Sequence, residues 1–266
     1  MDNRAIGIFD SGAGGLTALR CVREIMPNED IVYFGDTINV PYGEKSREDV
    51  IKCAYHNTGF LKSKNVKVIL AACGTVSSQL RQIEADIPVL GIIEPVCKKA
   101  AVTTKNGKIA VLATSATIKS GIYKKTCNKI SPEIEIYEQS CPKLATLIEN
   151  GHISPDDKEL SEVLVGYLEK IISSDIDTLI LGCTHYPIVE KAIKNMLVNK
   201  EIRLLDAGRE AAKTLKEFVF KNNIQSENSQ KSENIRYFIS GEKESFAKVA
   251  RTFLGYDIEN LISSEK

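Results

Sequence analysis

The sequence predicts an α/β protein made of two similar lobes, each a mostly parallel sheet covered by helices, with the active site in the cleft between them. Three observations carry that expectation. Short apolar runs alternate with segments of helical periodicity along nearly the whole chain, as in parallel strands joined by crossover helices. The alternation restarts near Lys108. Two cysteines, Cys73 and Cys183, stand in matching contexts: each ends an apolar run and is followed within two residues by a threonine. They mark a weak internal repeat.

The elements follow in order. Ala5–Phe9 is a short apolar strand. Gly15–Met26 is a helix, with Leu16, Leu19, Val22 and Met26 on one face. Asp30–Phe34 is a strand. Arg47–Lys62 is a helix, with Ser46 at the N-cap position and Asp49 three residues on. Val66–Ala72 is a strand, Val76–Ala85 a helix, Val89–Ile92 a strand and Pro95–Val102 a helix. The second round gives a strand at Lys108–Leu112, a helix at Thr117–Lys129, a strand at Glu133–Tyr137 and a short helix at Leu144–Asn150. Pro155–Ile172 reads as a helix with proline in its first turn. Thr178–Leu181, Ile188–Leu197, Ile202–Leu205 and Arg209–Val219 continue the alternation. Residues 222–234 are polar and read as a long mobile loop. Ile235–Ser240 and Lys243–Leu254 add a strand and a helix, which cannot form a core alone and so are expected to rejoin the first lobe. The expected lobes are residues 1–95 with 209–266, and residues 96–208.

Lys+Arg and Asp+Glu both number 35, which leaves no electrostatic case for a nucleic-acid or membrane-surface partner. No apolar stretch approaches the ~20 residues that span a bilayer, and Met1–Arg4 lacks a signal-peptide pattern. A cytoplasmic protein is expected. The seven cysteines are an odd number without a Cys-x-x-Cys pair, so neither a disulfide framework nor a structural zinc site is expected. Cys21, Cys53 and Cys127 fall in helical patterns and suit packing.

A thiol at the end of a buried strand stands where α/β proteins place ligands. Two of them, one from each lobe, suit the movement of a proton from one face of a carbon to the other. A free thiol has a pKa near ~8.5, lowered at a helix N-terminus, so each cysteine is expected to be partly thiolate. Either one alone would read as an inert buried residue; the matched contexts favour the pair. The turn Phe9-Asp10-Ser11-Gly12-Ala13-Gly14-Gly15 lacks phosphate-loop and dinucleotide spacing. It suits an amide cradle for a carboxylate with Asp10 taking an ammonium, or equally a structural turn capped by Asp10. Pro41-Tyr42-Gly43 is a stiff turn offering amides and one phenol. Thr75 and Thr184 are hydroxyl donors beside the cysteines. His185 lies two residues past Cys183 and can relay its proton; three histidines in all make a three-histidine metal site improbable. Glu149 is, on pattern, a charged residue near a helix end.

Taken together, Ile8-Phe9-Asp10-Ser11-Gly12-Ala13-Gly14-Gly15-Leu16-Thr17, Tyr33-Phe34-Gly35-Asp36-Thr37 with Pro41-Tyr42-Gly43, Ala72-Cys73 with Thr75, and Leu179–Pro187 resemble the glutamate racemases. The resemblance runs from about Ile6 to Gly208. It implies two α/β domains facing across the active site, no cofactor, frequent dimerisation, and production of D-glutamate for bacterial peptidoglycan. By resemblance, Cys73 and Cys183 are the catalytic acid/bases. Asp10, His185 and Glu149 are supporting ionisable groups. Asp10, Ser11, Tyr42, Gly43, Gly74, Thr75, Thr184 and His185 match substrate contacts.

One position departs from the family pattern. The first cysteine is normally followed by Asn-Thr, and this chain has Gly74-Thr75. A hydrogen bond to a charged group is worth about 1.5–3 kcal/mol, so loss of that amide predicts a slower enzyme or a shifted substrate, with water filling part of the gap. The alternatives are a paralogue acting on another acidic amino acid, and a non-catalytic protein that binds one. Gly74 favours these, and the two retained cysteines oppose the second.

Overall fold

A computed structural model describes residues 1–264. Its strands are β1 (Ile6–Asp10), β2 (Ile31–Gly35), β3 (Val68–Ala71), β4 (Val89–Gly91), β5 (Lys108–Ala113), β6 (Glu135–Ser140), β7 (Thr178–Leu181), β8 (Arg203–Asp206), β9 (Ile235–Ile239) and β10 (Leu261–Ser263). They form two sheets, ordered β10-β9-β2-β1-β3-β4 and β6-β5-β7-β8. Every pairing is parallel. The central strands β1, β2, β3 and β7 are buried at every position, as parallel strands covered on both faces must be. The chain's last strands do return to the first sheet: β9 pairs with β2, Ile31 opposite Ile235.

The helices are α1 (Leu16–Ile25), α2 (Arg47–Ser63), α3 (Gly74–Ser77), α4 (Ile93–Thr103), α5 (Ser115–Lys119), α6 (Ile122–Ile130), α7 (Leu144–Glu149), α8 (Lys158–Ile172), α9 (Glu190–Met196), α10 (Ala207–Lys221) and α11 (Lys243–Leu254). Helix α10 packs on both α1 and α4. One apolar cluster therefore runs from Ile6 and Leu70 in the first sheet, through Leu19, Val96 and Leu215, to Val111 and Ile180 in the second. This packing turns the carboxyl ends of β1, β2 and β3 towards those of β5 and β7.

Several boundaries differ from the sequence expectation, each for a local reason. Ser46 does cap α2, accepting from the Asp49 amide at 3.2 Å and donating to its carboxylate at 2.8 Å. Helix α8 starts later than Pro155, because the Asp157 carboxylate captures the Leu160 amide at 2.9 Å and so caps the helix there. The helix expected at 117–129 is two, broken at Gly121, which adopts φ +62°. The helix expected at 76–85 starts at Gly74 and stops at Ser77. The Ser77 and Ser78 hydroxyls donate to the carbonyls of Ala71 and Thr75, local bonds that compete with helical continuation. Strand β10 carries no alternation strong enough to be read from sequence. The polar segment 222–234 is a loop, but a tethered one: the Ser226 amide donates to Glu29 and the Ser232 amide to the Pro27 carbonyl.

That tether includes a buried ion pair. Lys67 Nζ lies 2.5 Å from Glu29 Oε2 and also donates to the Asp2 carbonyl at 2.8 Å, with both side chains almost wholly inaccessible. Removing one member leaves an unpaired buried charge. Glu29→Ala should therefore destabilise the fold by about 3–5 kcal/mol, measured by urea unfolding. A loss below about 1 kcal/mol would show that the Lys67 ammonium finds another partner.

Candidate functional site

Three connections of each sheet meet over one cleft of about 720 Å³, including its solvent-open part. That size suits a small molecule. Its wall includes Ser11 after β1, Tyr42 and Gly43 after β2, Cys73, Gly74 and Thr75 after β3, Glu149 at the end of α7, and Cys183, Thr184 and His185 after β7. The two sulfurs thus face a single cavity from different sheets. Both cysteines are nearly buried, 6% and 7% exposed, so each is reached only from the cleft.

Asp10 lies one layer behind the wall and is fully buried. Its Oδ1 accepts from the Gly12 amide at 3.0 Å and from Ser11 Oγ at 3.3 Å, and its Oδ2 accepts from Thr184 Oγ1 at 3.2 Å. The direct contact between Asp10 and a substrate ammonium expected from sequence is not available in this arrangement: Ser11 and Thr184 stand between. Burial raises the Asp10 pKa, opposed by the nearby His185 charge and by those three hydrogen bonds. The glycine turn is not an open amide cradle either. A Cβ at Gly14 would sit 2.5 Å from Thr184 Oγ1, so the turn is pressed against the second lobe, and Thr17 Oγ1 donates to the Thr184 carbonyl at 2.8 Å.

The Tyr42 phenol also points away from the cleft. It donates to Asp36 Oδ2 and accepts from Asn57 Nδ2 at 3.0 Å. Asp36 further binds Asn39 and Ser240. The carboxylate thereby holds the β2–α2 loop in shape, with Tyr42 and Gly43 on the cavity wall.

The two thiols have unlike surroundings. Burial first, and then the Asp10 charge, push the Cys73 thiol up to about 12, and the amides of Val76 and Thr75 offset this only in part. Cys73 is therefore a neutral thiol, donating towards Ser11 Oγ at 3.9 Å. This corrects the expectation of a partly ionised Cys73: α3 has a single turn, too short to outweigh desolvation. Cys183 Sγ instead lies 3.5 Å from His185 Nδ1, whose Nε2 lies 2.7 Å from Glu149 Oε1. Burial works against a charged His185 ring, but Cys183 and Glu149 overcome it and hold the ring's proton affinity well above the ordinary histidine value. Glu149, His185 and Cys183 make a proton-relay line that ends at the cavity.

Sequence reading missed Thr114 and Ser115, which follow β5 and also line the cleft. Thr114 Oγ1 lies 3.0 Å from Thr75 Oγ1 and 2.9 Å from Thr117 Oγ1, bonding the lobes together. The missed signal is the one that marked Thr75: a hydroxyl residue just beyond an apolar run. Among the described residues, no group of three or more His, Cys, Asp or Glu could hold a metal ion, and no helix is long and apolar enough to cross a membrane.

The family model for Asp/Glu/hydantoin racemases matches residues 17–215, which include both strand-end cysteines. The chain belongs to the Asp/Glu/hydantoin racemase family. Among curated members of this racemase family, the glutamate racemase of Thermoanaerobacter pseudethanolicus is 37% identical over 263 residues, spanning 98% of this chain and 97% of that protein. Among solved structures, a glutamate racemase isoform from Bacillus anthracis superposes with a TM-score of 0.93 at 33% identity, covering 100% of this chain and 98% of the other. The Francisella tularensis glutamate racemase, solved with D-glutamate, gives 0.90 at 34% identity, with coverage of 100% and 98%.

The Cys73 environment has a direct consequence in solution. Because its folded-state pKa lies far above ~8.5, its alkylation by iodoacetamide should keep rising about tenfold per pH unit beyond pH 9, where an ordinary thiol levels off. Asp10→Asn removes the second cause of that shift and should speed the reaction at a fixed pH. A plateau near pH 9 in the unmodified protein would show that the cleft does not hold Cys73 protonated.

Proposed function

We propose that this protein interconverts L- and D-glutamate by two-thiol proton transfer without a cofactor, supplying D-glutamate for peptidoglycan. The observation that carries the reading is two nearly buried cysteines from different sheets, Cys73 and Cys183, lining one cleft. The glutamate racemase relatives named above support glutamate as the substrate. Residues 1–95 with 209–266 would form one lobe, and residues 96–208 the other.

In one direction, Cys183 acts as the base. With the proton of the Cys183–His185 pair held on the imidazole, the sulfur removes the substrate α-proton, and the C–H electron pair moves into the carboxylate to give an enediolate. The Cys73 thiol, kept protonated by burial, gives its proton to the opposite face of the α-carbon. The pair returns to that carbon, and Cys73 is left as the thiolate. The reverse reaction exchanges the roles. Positioned proton transfer of this kind contributes ~10²–10⁴-fold, and hydrogen-bond donors aimed at the enediolate supply more. The Ser11 and Thr184 hydroxyls donate their single protons to Asp10, so only lone pairs remain to face the cavity. Such lone pairs suit a substrate ammonium, whose charge Asp10 would then balance through the two hydroxyls.

A shifted acidic substrate is the second reading, favoured by Gly74 in place of the family's asparagine. Incubation with D- and L-glutamate, and separately with aspartate, in D₂O discriminates the two. The proposed reading expects inversion of glutamate with deuterium at the α-carbon. Exchange with aspartate alone moves the substrate, and exchange with neither acid removes the racemase reading. Cys73→Ser and Cys183→Ser should each reduce racemisation at least about 10²-fold, followed by chiral chromatography. Either variant keeping most of its activity would refute the two-thiol scheme.

A further inference from the structure

We propose that Gly74 is a positioning residue: its missing side chain lets the two lobes close until the backbones beside Cys73 and Cys183 touch, and that contact sets the gap between the two sulfurs. The inference rests on the racemase reading above and deepens it. A Cβ built at Gly74 would lie 2.5 Å from the carbonyl oxygen of Gly182, closer than carbon and oxygen can pack. Gly74 directly follows Cys73, and Gly182 directly precedes Cys183. This close contact therefore falls on the residues adjoining the thiols.

Both sides are held in place by local bonds. The Gly182 amide donates to the Leu112 carbonyl at 2.8 Å. A Cβ at Gly182 would meet the same carbonyl and the Tyr123 phenol oxygen, each at 2.8 Å, so Gly182 is packed from behind as well. On the other side, the Ser77 and Ser78 amides bond the carbonyls of Cys73 and Gly74 at 2.8 and 3.0 Å, and Ser77 Oγ bonds the Ala71 carbonyl at 3.0 Å. A side chain at 74 would therefore push on backbone that is hydrogen-bonded on both sides of the cleft.

Two other glycines make the same kind of contact. A Cβ at Gly43 would lie 2.9 Å from the Thr114 Cβ, and one at Gly14 2.5 Å from Thr184 Oγ1. The loops after β1, β2 and β3 thus each press bare backbone on the opposite lobe. In this chain, an asparagine at 74 would not recover a lost hydrogen bond; it would prop the cleft open. A misplacement of ~1 Å at reacting groups costs about 10²-fold in rate.

The test compares the wild type with Gly74→Ala, Gly74→Asn, Gly43→Ala and Gly166→Ala. Each is measured for Tm, for kcat and KM in both directions, and for the shortest bis-iodoacetamide reagent that alkylates both Cys73 and Cys183 with loss of two iodides, located by mass spectrometry. Gly74→Ala should lower kcat about 10–100-fold in both directions, change KM less, leave Tm within a few degrees, and need a longer reagent. Gly74→Asn should be at least as slow. Gly166, exposed on α8 with no atom within 4 Å of a built Cβ, should tolerate alanine without change. Wild-type kcat in Gly74→Ala, a Gly74→Asn variant faster than wild type, or an unchanged shortest reagent overturns the proposal. Should neither Gly74 variant unfold cooperatively, Gly43→Ala decides by the same kcat and reagent length, with wild-type values overturning it. An inactive wild type would remove the racemase reading alone, and the reagent lengths would still decide the role of Gly74.

Discussion

A fully buried carboxyl group, Asp10, ties the two halves of the molecule together where their chemistry lies. It ends β1, yet one of its oxygens accepts from Thr184, which belongs to the loop after β7. Thr17, at the start of α1, donates back to the Thr184 carbonyl. Burying a carboxyl is costly unless it is hydrogen-bonded and its charge balanced. Here Gly12, Ser11 and Thr184 supply the bonds, and His185 supplies the nearby positive charge. The orientation of the Ser11 and Thr184 lone pairs and the field at Cys73 both depend on this one group.

The two strand-end cysteines are alike in sequence and unlike in environment. Cys73 faces a buried carboxyl group and is held as a thiol by desolvation. Cys183 faces an imidazole that is oriented in turn by Glu149. An interconversion with two equivalent faces does not need equivalent groups. It needs, at each moment, one sulfur able to give a proton and one able to take it. Neighbours from outside each motif create that difference: Asp10 and Ser11 reach Cys73 across the first sheet, while Glu149 reaches His185 from α7.

Much of the fold was legible because its signals are local. Apolar runs such as Val68–Ala71 and Thr178–Leu181 mark buried parallel strands, and Ser46 with Asp49 marks the start of α2. Where local signals competed, the reading slipped. Asp157 caps α8 so that it starts at Lys158 rather than at the expected Pro155, Ser77 and Ser78 stopped α3 with their own hydroxyls, and Gly121 split a helix whose apolar pattern runs through the break. The site was legible as a set of residues, since Ser11, Cys73, Thr75, Cys183, His185 and Glu149 do share one cavity. Directions within it were not. The Tyr42 phenol turns to Asp36 and Asn57, and Asp10 stands behind the wall, because which way a side chain points depends on partners distant in sequence.

The sequence by itself determined the alternation of strands and helices, the two strand-end thiols and the family to which the chain belongs, because these are written in periodicity and in contiguous motifs. Tertiary structure alone decided which thiol keeps its proton, which hydroxyls stand between Asp10 and the cavity, and how closely Gly74 approaches Gly182. Those properties arise where loops from separate sheets meet, and desolvation and contact distance there are set by atoms that no single stretch of chain contains.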